Sequence, residues 1–409
     1  MEFTQLMLYI TLFLALYFQI FMLLSLFENK RRNKTKENND FFPTVTIIIP
    51  AWNEEKTVAG TIQSLLDLDY PKEKLNIVVV NDGSTDNTSR EVKKFSNENQ
   101  VLLLEKKNGG KHSALNLALK NIHTDLVGAL DADSFVGKNA LKFIVHPFKN
   151  EQVASIASTI KISETKNFWG IIQKADYFMI AFLRKTFSHM GSIFITPGPF
   201  SFYRTSVVKK LGGWKKAHDT EDIEIGIRLQ ANHYIVENVE NAEVFTKPMM
   251  TFKSLFKQRM RWSYGFFKNA WDYKYLFFNK EYGNMGMFGL PSFLLANIIS
   301  VFIYFLTITI ILGQLWEWIE KISVTGIYWK NFSFNWFFFD TGVLLILSIF
   351  LTILVIWSII VGKVLTNEKK YFSFDILLYL VVYMLIAPLW VITAMGKVLV
   401  GVENKWEDN

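Results

Sequence analysis

The chain has 409 residues, of which 50% are hydrophobic, 16% aromatic and 20% charged, and it contains no cysteine. The length suits two or three domains, and so many aromatic residues exclude a disordered or coiled-coil chain. Without cysteine, disulfides, thiolate zinc sites and cysteine nucleophiles are excluded as well. The net charge of +7 suits binding to nucleic acid or to an anionic membrane surface. The positions of the charged residues along the chain are needed to distinguish these two partners.

The first segment, 1–27, is predicted to be a transmembrane helix. No charged residue occurs from Phe3 to Phe27, and about 20 apolar residues suffice to cross a bilayer. A cleaved signal peptide is the alternative, but no basic stretch precedes the apolar run and no small-residue cleavage site follows it. The next segment, 28–42, carries five basic residues: Lys30, Arg31, Arg32, Lys34 and Lys36. The positive-inside rule places this linker in the cytoplasm, either solvated or in contact with lipid.

The segment 43–250 is predicted to be a water-soluble α/β domain. Apolar, β-branched runs predict strands at 45–49, 76–80, 101–104 and 126–130. Helices are predicted at about 57–66, from Asp86 or Asn87 onwards, and at 112–120. This alternation indicates a mostly parallel sheet with helices on both faces, and ligands of such sheets bind at the carboxyl ends of the strands. Asp82, Asp131 and Asp133 fall at those ends.

Two readings are open for Asp131 and Asp133. Two carboxylates at the end of a strand can hold a divalent metal ion against a diphosphate. The alternative is that Asp133 or Ser134 caps a following helix. Lys111 follows a double glycine near a predicted helix start, where it could meet a phosphate, although no Walker-type loop surrounds it.

A second acidic cluster, Thr220-Glu221-Asp222, opens another predicted helix. Thr220 could simply be its N-cap. A carboxylate near a metal-bound diphosphate could instead take a proton from an attacking hydroxyl. The sequence pattern alone leaves both readings open.

The segment 251–281 is predicted to be an amphipathic helix region lying on the membrane surface. Aromatic residues alternate with lysine and arginine from Phe252 to Trp271, around Gln258-Arg259-Met260-Arg261-Trp262. An RNA-binding helix would have a similar pattern. The position just before a further apolar segment favours the membrane.

The segment 282–400 is predicted to contain about three spans, since no charge occurs at 282–316, 341–362 or 376–396. Lys363, Lys369 and Lys370 place the loop before the last span in the cytoplasm, and the aromatic loop 316–339 is expected outside. Pro388 is expected to break the last span. A full crossing would put the tail, 401–409, outside, whereas a kinked or re-entrant segment would return it to the cytoplasm.

Five short motifs in order resemble the processive family 2 glycosyltransferases, which are membrane-bound polysaccharide synthases. The motifs are Pro50-Ala51-Trp52-Asn53-Glu54, Asn81-Asp82-Gly83-Ser84, Asp131-Ala132-Asp133, Thr220-Glu221-Asp222 and Gln258-Arg259-Met260-Arg261-Trp262. The resemblance covers nearly the whole chain and is strongest to the poly-N-acetylglucosamine synthases. It implies a GT-A domain fused to transmembrane helices. Asn81 is a departure, because many members have aspartate there.

The resemblance also implies roles for twelve residues. The nucleotide-sugar would be bound by Glu54, Asp82, Lys111, Asp131, Gln258 and Arg261. Asp133, with Asp131, would hold Mg²⁺ or Mn²⁺, and Asp222 would be the catalytic base. The acceptor would contact Trp262, Gly198, Phe200 and Glu221. One base without a second carboxylate nucleophile implies a single displacement that inverts the anomeric centre.

The implied enzyme polymerises a β-linked polysaccharide from a UDP-sugar, with UDP-N-acetylglucosamine as the leading donor, and passes the product through the membrane. Its expected partners are the donor, the growing polysaccharide, membrane lipids and a small accessory membrane subunit, but not nucleic acid. Its expected location is the plasma membrane, with several spans and a cytoplasmic catalytic domain. The alternatives are a hyaluronan- or glucan-type synthase and a non-processive enzyme that loads one sugar onto a lipid or polyprenyl phosphate. A transporter is disfavoured because the spans lack the ionisable residues that mark ion pathways.

Overall fold

The computed structural model describes residues 3–28, 41–326 and 342–402. The basic cluster at 30–36, most of the aromatic loop at 316–339, and Lys405 and Trp406 of the tail lie outside the described residues. The predictions made for those segments therefore stay predictions.

The first half of the domain has the expected alternation of strands and helices. Its elements are β1 (Val45–Ala51), α2 (Val58–Leu66), β2 (Leu75–Asp82), α3 (Thr88–Lys93), β3 (Val101–Lys106), α4 (Lys111–Leu119) and β4 (Leu126–Ala129), which follow the N-terminal helix α1 (Phe3–Glu28). β1 pairs in parallel with β2 and β4, and β2 with β3. The strands are rich in buried Val, Ile and Leu, as expected for parallel strands that are covered on both faces.

The second half of the domain adds strands of both directions. Its elements are β5 (Phe135–Val136), α5 (Ala140–Val145), β6 (Val153–Ile162), α6 (Phe168–His189), β7 (Ser201–Arg204), α7 (Thr205–Lys210), α8 (Glu221–Ala231), β8 (Ile235–Thr246) and α9 (Phe252–Asp272). Among the described residues, eight strands form one sheet in the order β3-β2-β1-β4-β7-β6-β8-β5. β7 is antiparallel to both of its neighbours, β4 and β6, which the sequence patterns did not predict.

Two apolar cores cover the two faces of the sheet. One packs β1 and β2 against α2 and α5, and the other packs β4 and β7 against α4, α6 and α8. Met22 of α1 is fully buried in the second core, so the N-terminal helix rests on the domain at the side of α6. The predicted α/β sheet with helices on both faces is confirmed, with four of its seven strand pairings parallel.

Four helices of the described chain are long and apolar enough to cross a membrane. They are Gln5–Leu26 within α1, Met285–Thr325, which contains α10 (Leu290–Thr325), α11 (Val343–Leu365), and Phe374–Val400. The last of these, called the last helix below, comprises α12 (Phe374–Leu378), a π-helical turn (Tyr379–Tyr383) and α13 (Met384–Val400). The apolar segments predicted from the sequence correspond to these four helices in number and in approximate position.

Pro388 does not break the last helix, and that prediction was wrong. α13 continues through Pro388, and the π-helical turn ends at Tyr383, one turn before it. A proline ring crowds the carbonyl four residues earlier and leaves it without its amide partner. A π-turn at this place widens the preceding helix locally, which lets the chain absorb the proline without ending the helix.

Candidate active site

One large cavity of about 1450 Å³ lies at the carboxyl ends of the strands. All twelve residues singled out in the sequence line it except Phe200. The cavity continues past α9 to Phe293, Asn297 and Thr393, which belong to α10 and the last helix. The strand-end carboxylates and the apolar helices therefore share one space.

Asp82 fixes the loop that leads to α4. Its Oδ1 atom is 2.5 Å from Lys106 Nζ and accepts a hydrogen bond of 3.0 Å from the Gly109 amide. Gly83 has a φ of +77°, and a Cβ atom there would lie 2.6 Å from the Asn108 amide nitrogen, so only glycine suits this turn. Asp82 thus shapes the entrance to the cavity in addition to lining it.

Glu54 follows β1 and lines the cavity near the same edge. The Thr57 hydroxyl donates to Glu54 Oε2 over 2.5 Å, and the Glu54 amide donates to Thr88 Oγ1. Burial raises the pKa of Glu54 in spite of the Thr57 hydrogen bond, and the carboxylate of Asp131 adds to the increase. Glu54 is therefore a carboxylate held in place at the rim of an acidic cavity.

Lys111 is the cation at the centre of the cavity. Its Nζ atom lies 2.5 Å from Asp131 Oδ1 and 3.3 Å from Glu221 Oε1. Burial would lower the pKa of Lys111, but the carboxylates of Asp131, Glu221 and Asp222 raise it overall. Lys111 is the first residue of α4, so the helix dipole adds to its attraction for a phosphate.

Gly198 lies against this ion pair. A Cβ atom at Gly198 would lie 2.3 Å from Lys111 Nζ and 3.0 Å from Asp131 Oδ2. The first distance is too short for a contact, so a side chain at 198 would displace the Lys111 ammonium from its place beside Asp131. The backbone of the 198–201 loop therefore approaches the centre of the cavity closely.

Asp133 does not cap a helix, so that alternative was wrong. The residues after it form β5, and the Ser134 hydroxyl donates to Asp133 Oδ1 over 3.2 Å. Burial raises the pKa of Asp133 to about 6, and the nearby carboxylates of Asp131 and Glu54 contribute. Asp133 is thus a carboxylate whose negative charge is not fully compensated by the protein.

The carboxylates fit a hard divalent cation in their chemistry. No group of three or more His, Asp or Glu side chains forms a metal-binding cluster within residues 3–28, 41–326 and 342–402. Asp133 nevertheless has the oxygen donors that Mg²⁺ and Mn²⁺ prefer, and burial together with two neighbouring carboxylates raises its pKa more than Lys111 lowers it. Asp131 is paired with Lys111 in this arrangement.

Asp222 occupies the first turn of α8 and lines the cavity. Its carbonyl accepts hydrogen bonds from the amide and hydroxyl of Thr196, which anchors the backbone to the loop before β7. Burial raises the pKa of Asp222 to about 6, Glu221 raises it further, and Lys111 and Arg261 oppose the increase. A carboxylate with this pKa is ionised at neutral pH and remains basic enough to accept a proton.

Thr220 stands at the N-cap position of α8, but its side chain does not cap the helix. The Thr220 hydroxyl donates to the Ala217 carbonyl and accepts from Asn269 of α9. A Cβ atom at Gly265 of α9 would lie 2.2 Å from Thr220 Oγ1, so α9 approaches this loop closely. Thr220 therefore connects the start of α8 to α9, which brings the two predicted motifs together.

α9 forms the second wall of the cavity with Gln258, Arg261 and Trp262. Arg261 donates to the Asp219 carbonyl over 2.7 Å, next to the acidic cluster. The Gln258 Oε1 atom is buried and has no hydrogen-bond partner among the described residues. This wall therefore presents a cation, an amide and an indole ring to whatever fills the cavity.

Phe200 differs from its expected place at the acceptor. The ring is fully buried in the core, in edge contact with Phe202 at 4.8 Å between ring centroids. A φ of +59° at Phe200 and a hydrogen bond from its amide to the Ala129 carbonyl turn the side chain inward. Phe200 supports the loop that carries Gly198, and does not line the cavity.

Several cavity residues were missed in the sequence analysis because α6 was not predicted. Arg184 of α6 lines the cavity, and burial lowers its pKa to about 10. Asp176, also on α6, forms a buried ion pair with Arg259 of α9. The amphipathic pattern of 168–189 was the available signal for the helix, but no sequence pattern pairs residues 83 positions apart.

Comparison with known proteins gives a family match over the same segment. The family described as "Glycosyltransferase like family 2" matches residues 43–265. That range is more than half of the chain and spans every motif from Pro50 to Trp262.

Two curated relatives carry the same name, poly-β-1,6-N-acetyl-D-glucosamine synthase. The protein from Staphylococcus aureus (strain COL) is 28% identical over 272 residues, which is 65% of this chain and 66% of that protein. The protein from Staphylococcus epidermidis is 29% identical over 224 residues, 54% of each chain. The similarity thus extends over 66% of the length of the first relative and 54% of the second.

One solved structure is similar over nearly the whole chain. It is the mannosyltransferase PcManGT from Pyrobaculum calidifontis, solved in complex with GDP-Man and Mn²⁺. The TM-score is 0.55 at 16% sequence identity, covering 97% of this chain and 100% of that one. At this identity the likeness concerns the fold, and together with the family match it confirms the expected GT-A-like domain.

Proposed function

This chain belongs to glycosyltransferase family 2, and from that premise we propose that it is a membrane-embedded enzyme that builds a β-linked polysaccharide from a UDP-sugar. The observation that carries the proposal is the single cavity in which Asp222, Lys111 and Arg261 meet. It combines a carboxylate base with two cations suited to a diphosphate. The same cavity leads past Trp262 towards the apolar helices.

The proposed reaction is one displacement at the anomeric carbon of the donor. The acceptor hydroxyl oxygen forms the new bond to that carbon, its proton passes to Asp222, and the bond from the carbon to the diphosphate breaks. UDP leaves with the bonding electrons. Lys111 and Arg261 stabilise its negative charge, since cations aimed at a developing charge lower the barrier most in a site that excludes water. With a single base, an α-linked donor gives a β-linked product.

The proposed nucleotide-sugar site uses the strand ends. Glu54 and Asp82 would bind the uracil and ribose, and Asp131 and Lys111 the phosphate side. A divalent cation held by Asp133, with Asp131, would neutralise part of the leaving-group charge. Gln258 would complete the donor site from α9: its amide nitrogen would donate to a phosphate oxygen, and its buried Oε1 atom would accept from a hydroxyl of the nucleotide-sugar.

The proposed acceptor site is the continuation of the cavity at α9. Trp262 would stack on the terminal sugar, because a flat apolar ring suits the C–H face of a pyranose. Glu221 and the Gly198 loop border the same space. The relatives' shared name supports N-acetylglucosamine as the sugar. A non-processive enzyme that loads one sugar onto a lipid would use the same base and donor site.

A donor panel tests the proposal. The full-length protein is purified in detergent and incubated with Mg²⁺ or Mn²⁺ and one UDP-sugar at a time. The donors are UDP-N-acetylglucosamine, UDP-glucose and UDP-glucuronic acid, and UDP-galactose serves as the comparison. We expect UDP release from UDP-N-acetylglucosamine together with a long carbohydrate product. Transfer of one sugar to a lipid fraction would identify the non-processive enzyme instead, and no release of UDP from any donor would contradict the proposed function.

We further propose that α1, α10 and α11 cross the membrane and that the last helix lies along its cytoplasmic surface. Contacts at both ends support this. Ile376, near the start of the last helix, belongs to a buried cluster with Phe178 of α6. Asp375 beside it pairs with Lys363 at the end of α11 over 2.9 Å. Just after its end, the Val402 carbonyl accepts a hydrogen bond from Tyr264 of α9. A helix that crossed the bilayer could not have both ends beside the catalytic domain.

Cysteine labelling tests this topology directly, because the chain has no cysteine of its own. Single substitutions Thr325→Cys, Lys369→Cys and Val402→Cys are treated with a membrane-impermeant maleimide on intact cells. We expect Thr325→Cys to react from outside and the other two to react only after permeabilisation. Reaction of Val402→Cys on intact cells would show that the last helix crosses the membrane.

A further inference from the structure

A buried ion pair joins α6 to α9 beside the cavity. Asp176 Oδ2 lies 2.7 Å from an Arg259 guanidinium nitrogen, and the two residues are only 5% and 4% exposed. The desolvation of two buried charges offsets much of their attraction, so such a pair contributes little to stability by itself. Its geometry points to an orienting role.

Arg259 lies against the ring proposed to bind the acceptor. Its guanidinium carbon is 4.2 Å from the centroid of the Trp262 ring and 5.5 Å from that of Tyr177. A planar guanidinium packs face to face with an aromatic ring, which a lysine ammonium cannot do. Ile160 and Ile162 also pack around Tyr177 and Trp262. The orientation of the indole is therefore set by Arg259 and its neighbours.

The last helix reaches the same pair. The Tyr383 hydroxyl lies beside the Asp176 carboxylate and interacts with it electrostatically. Tyr383 closes the π-helical turn, is stacked on Tyr379 at 4.8 Å between ring centroids, and contacts Trp390 at 5.5 Å. π-Helical turns often occur where a helix must present a functional side chain. Side chains from three helices thus converge behind one face of Trp262.

We propose that Asp176, Arg259 and Tyr383 are positioning residues for the acceptor. Asp176 holds Arg259, Arg259 orients the Trp262 ring, and Tyr383 supports Asp176 from the last helix. The inference rests on the proposed function, because it assumes that Trp262 binds the acceptor sugar. It adds that acceptor binding, but not donor binding, responds to the local contacts of Asp176 with Arg259 and Tyr383.

Arg259→Lys is the informative variant, since it keeps the positive charge beside Asp176 and loses the planar stacking group. We expect the Kd for a β-linked N-acetylglucosamine pentasaccharide, measured by calorimetry, to rise about fivefold or more, because lysine lacks the planar group that stacks on the indole and orients it. The polymer should become shorter, and the Kd for UDP should stay within twofold. Trp262→Ala should give the same pattern with a larger effect, and Tyr383→Phe a smaller one.

Asp375→Asn is the matched control. It removes a second buried ion pair, Lys363–Asp375, which joins α11 to the last helix and whose residues do not line the cavity. We expect it to lower thermal stability while leaving the pentasaccharide Kd and the polymer length unchanged.

An unchanged pentasaccharide Kd in Arg259→Lys, with a weakened one in Trp262→Ala, would overturn the positioning role. Equal weakening by Asp375→Asn would also overturn it, since the effect would then come from general loosening of the last helix. These binding measurements do not require turnover, so their outcome is distinct from a failure of the proposed function, which the donor panel detects.

Discussion

Asp222→Asn is expected to lower sugar transfer by about 10²- to 10⁴-fold, the usual contribution of a general base. The amide is nearly isosteric and can still accept the hydrogen bond of 3.0 Å from the Ile223 amide, but it cannot take a proton from the acceptor. The Kd for UDP should stay within about threefold, because the base lies on the acceptor side. Rates of UDP release and calorimetric Kd values measure the two effects.

The wild-type pH profile gives an independent check of the same residue. Asp222 must be ionised to accept a proton, and burial together with Glu221 raises its pKa to about 6. The transfer rate should therefore be constant well above that pH and should fall by about tenfold per unit well below it. Asp67→Asn, which neutralises an exposed carboxylate outside the cavity, should leave the profile unchanged. Normal polymerisation by Asp222→Asn would show that Asp222 is not the base.

Asp133→Asn is expected to lower transfer on the order of 100-fold and to remove the response to divalent cations. Metal stabilisation of a leaving group contributes several kcal/mol, and each 1.36 kcal/mol corresponds to a factor of ten in rate. The substitution keeps the size of the side chain and removes the charge that Asp131 and Glu54 disfavour. Since it relieves this repulsion, the thermal stability of the metal-free protein should not fall.

The readout that is independent of activity is Mn²⁺ binding in the presence of UDP, measured by electron paramagnetic resonance. We expect one bound Mn²⁺ in wild type and in Asp67→Asn, and none in Asp133→Asn at the same concentrations. Wild-type affinity for Mn²⁺ in Asp133→Asn would assign the cation to other residues of the cavity.

The sequence predicted those parts of the site that follow from local patterns. Alternating buried strands and helices place Asp82 and Asp131 at one edge of a parallel sheet, and the structure confirms that both line one cavity. The prediction that Asp222 and Trp262 approach the same space was based on the resemblance to a family and not on a local pattern. Hydrophobic periodicity does not indicate how far apart in space two such motifs lie.

The remaining features depend on contacts between distant parts of the chain. β7 enters the sheet between β4 and β6, and its antiparallel pairing with residues 126–129 leaves no local sequence signal. Phe200 belongs to the loop that was expected to contact the acceptor, but its left-handed backbone conformation turns the ring into the core. Pro388 has its usual steric effect, which a π-turn accommodates within the helix.

The most direct test of the account is the anomeric configuration of the product made by the purified protein from UDP-N-acetylglucosamine. The central claim is a single displacement with Asp222 as the base, which inverts the α-linked donor. Proton NMR of the isolated polymer reads the configuration from the coupling constant of the anomeric proton. A single displacement predicts β-linked sugars throughout. An α-linked product would require retention at the anomeric carbon and would contradict the mechanism.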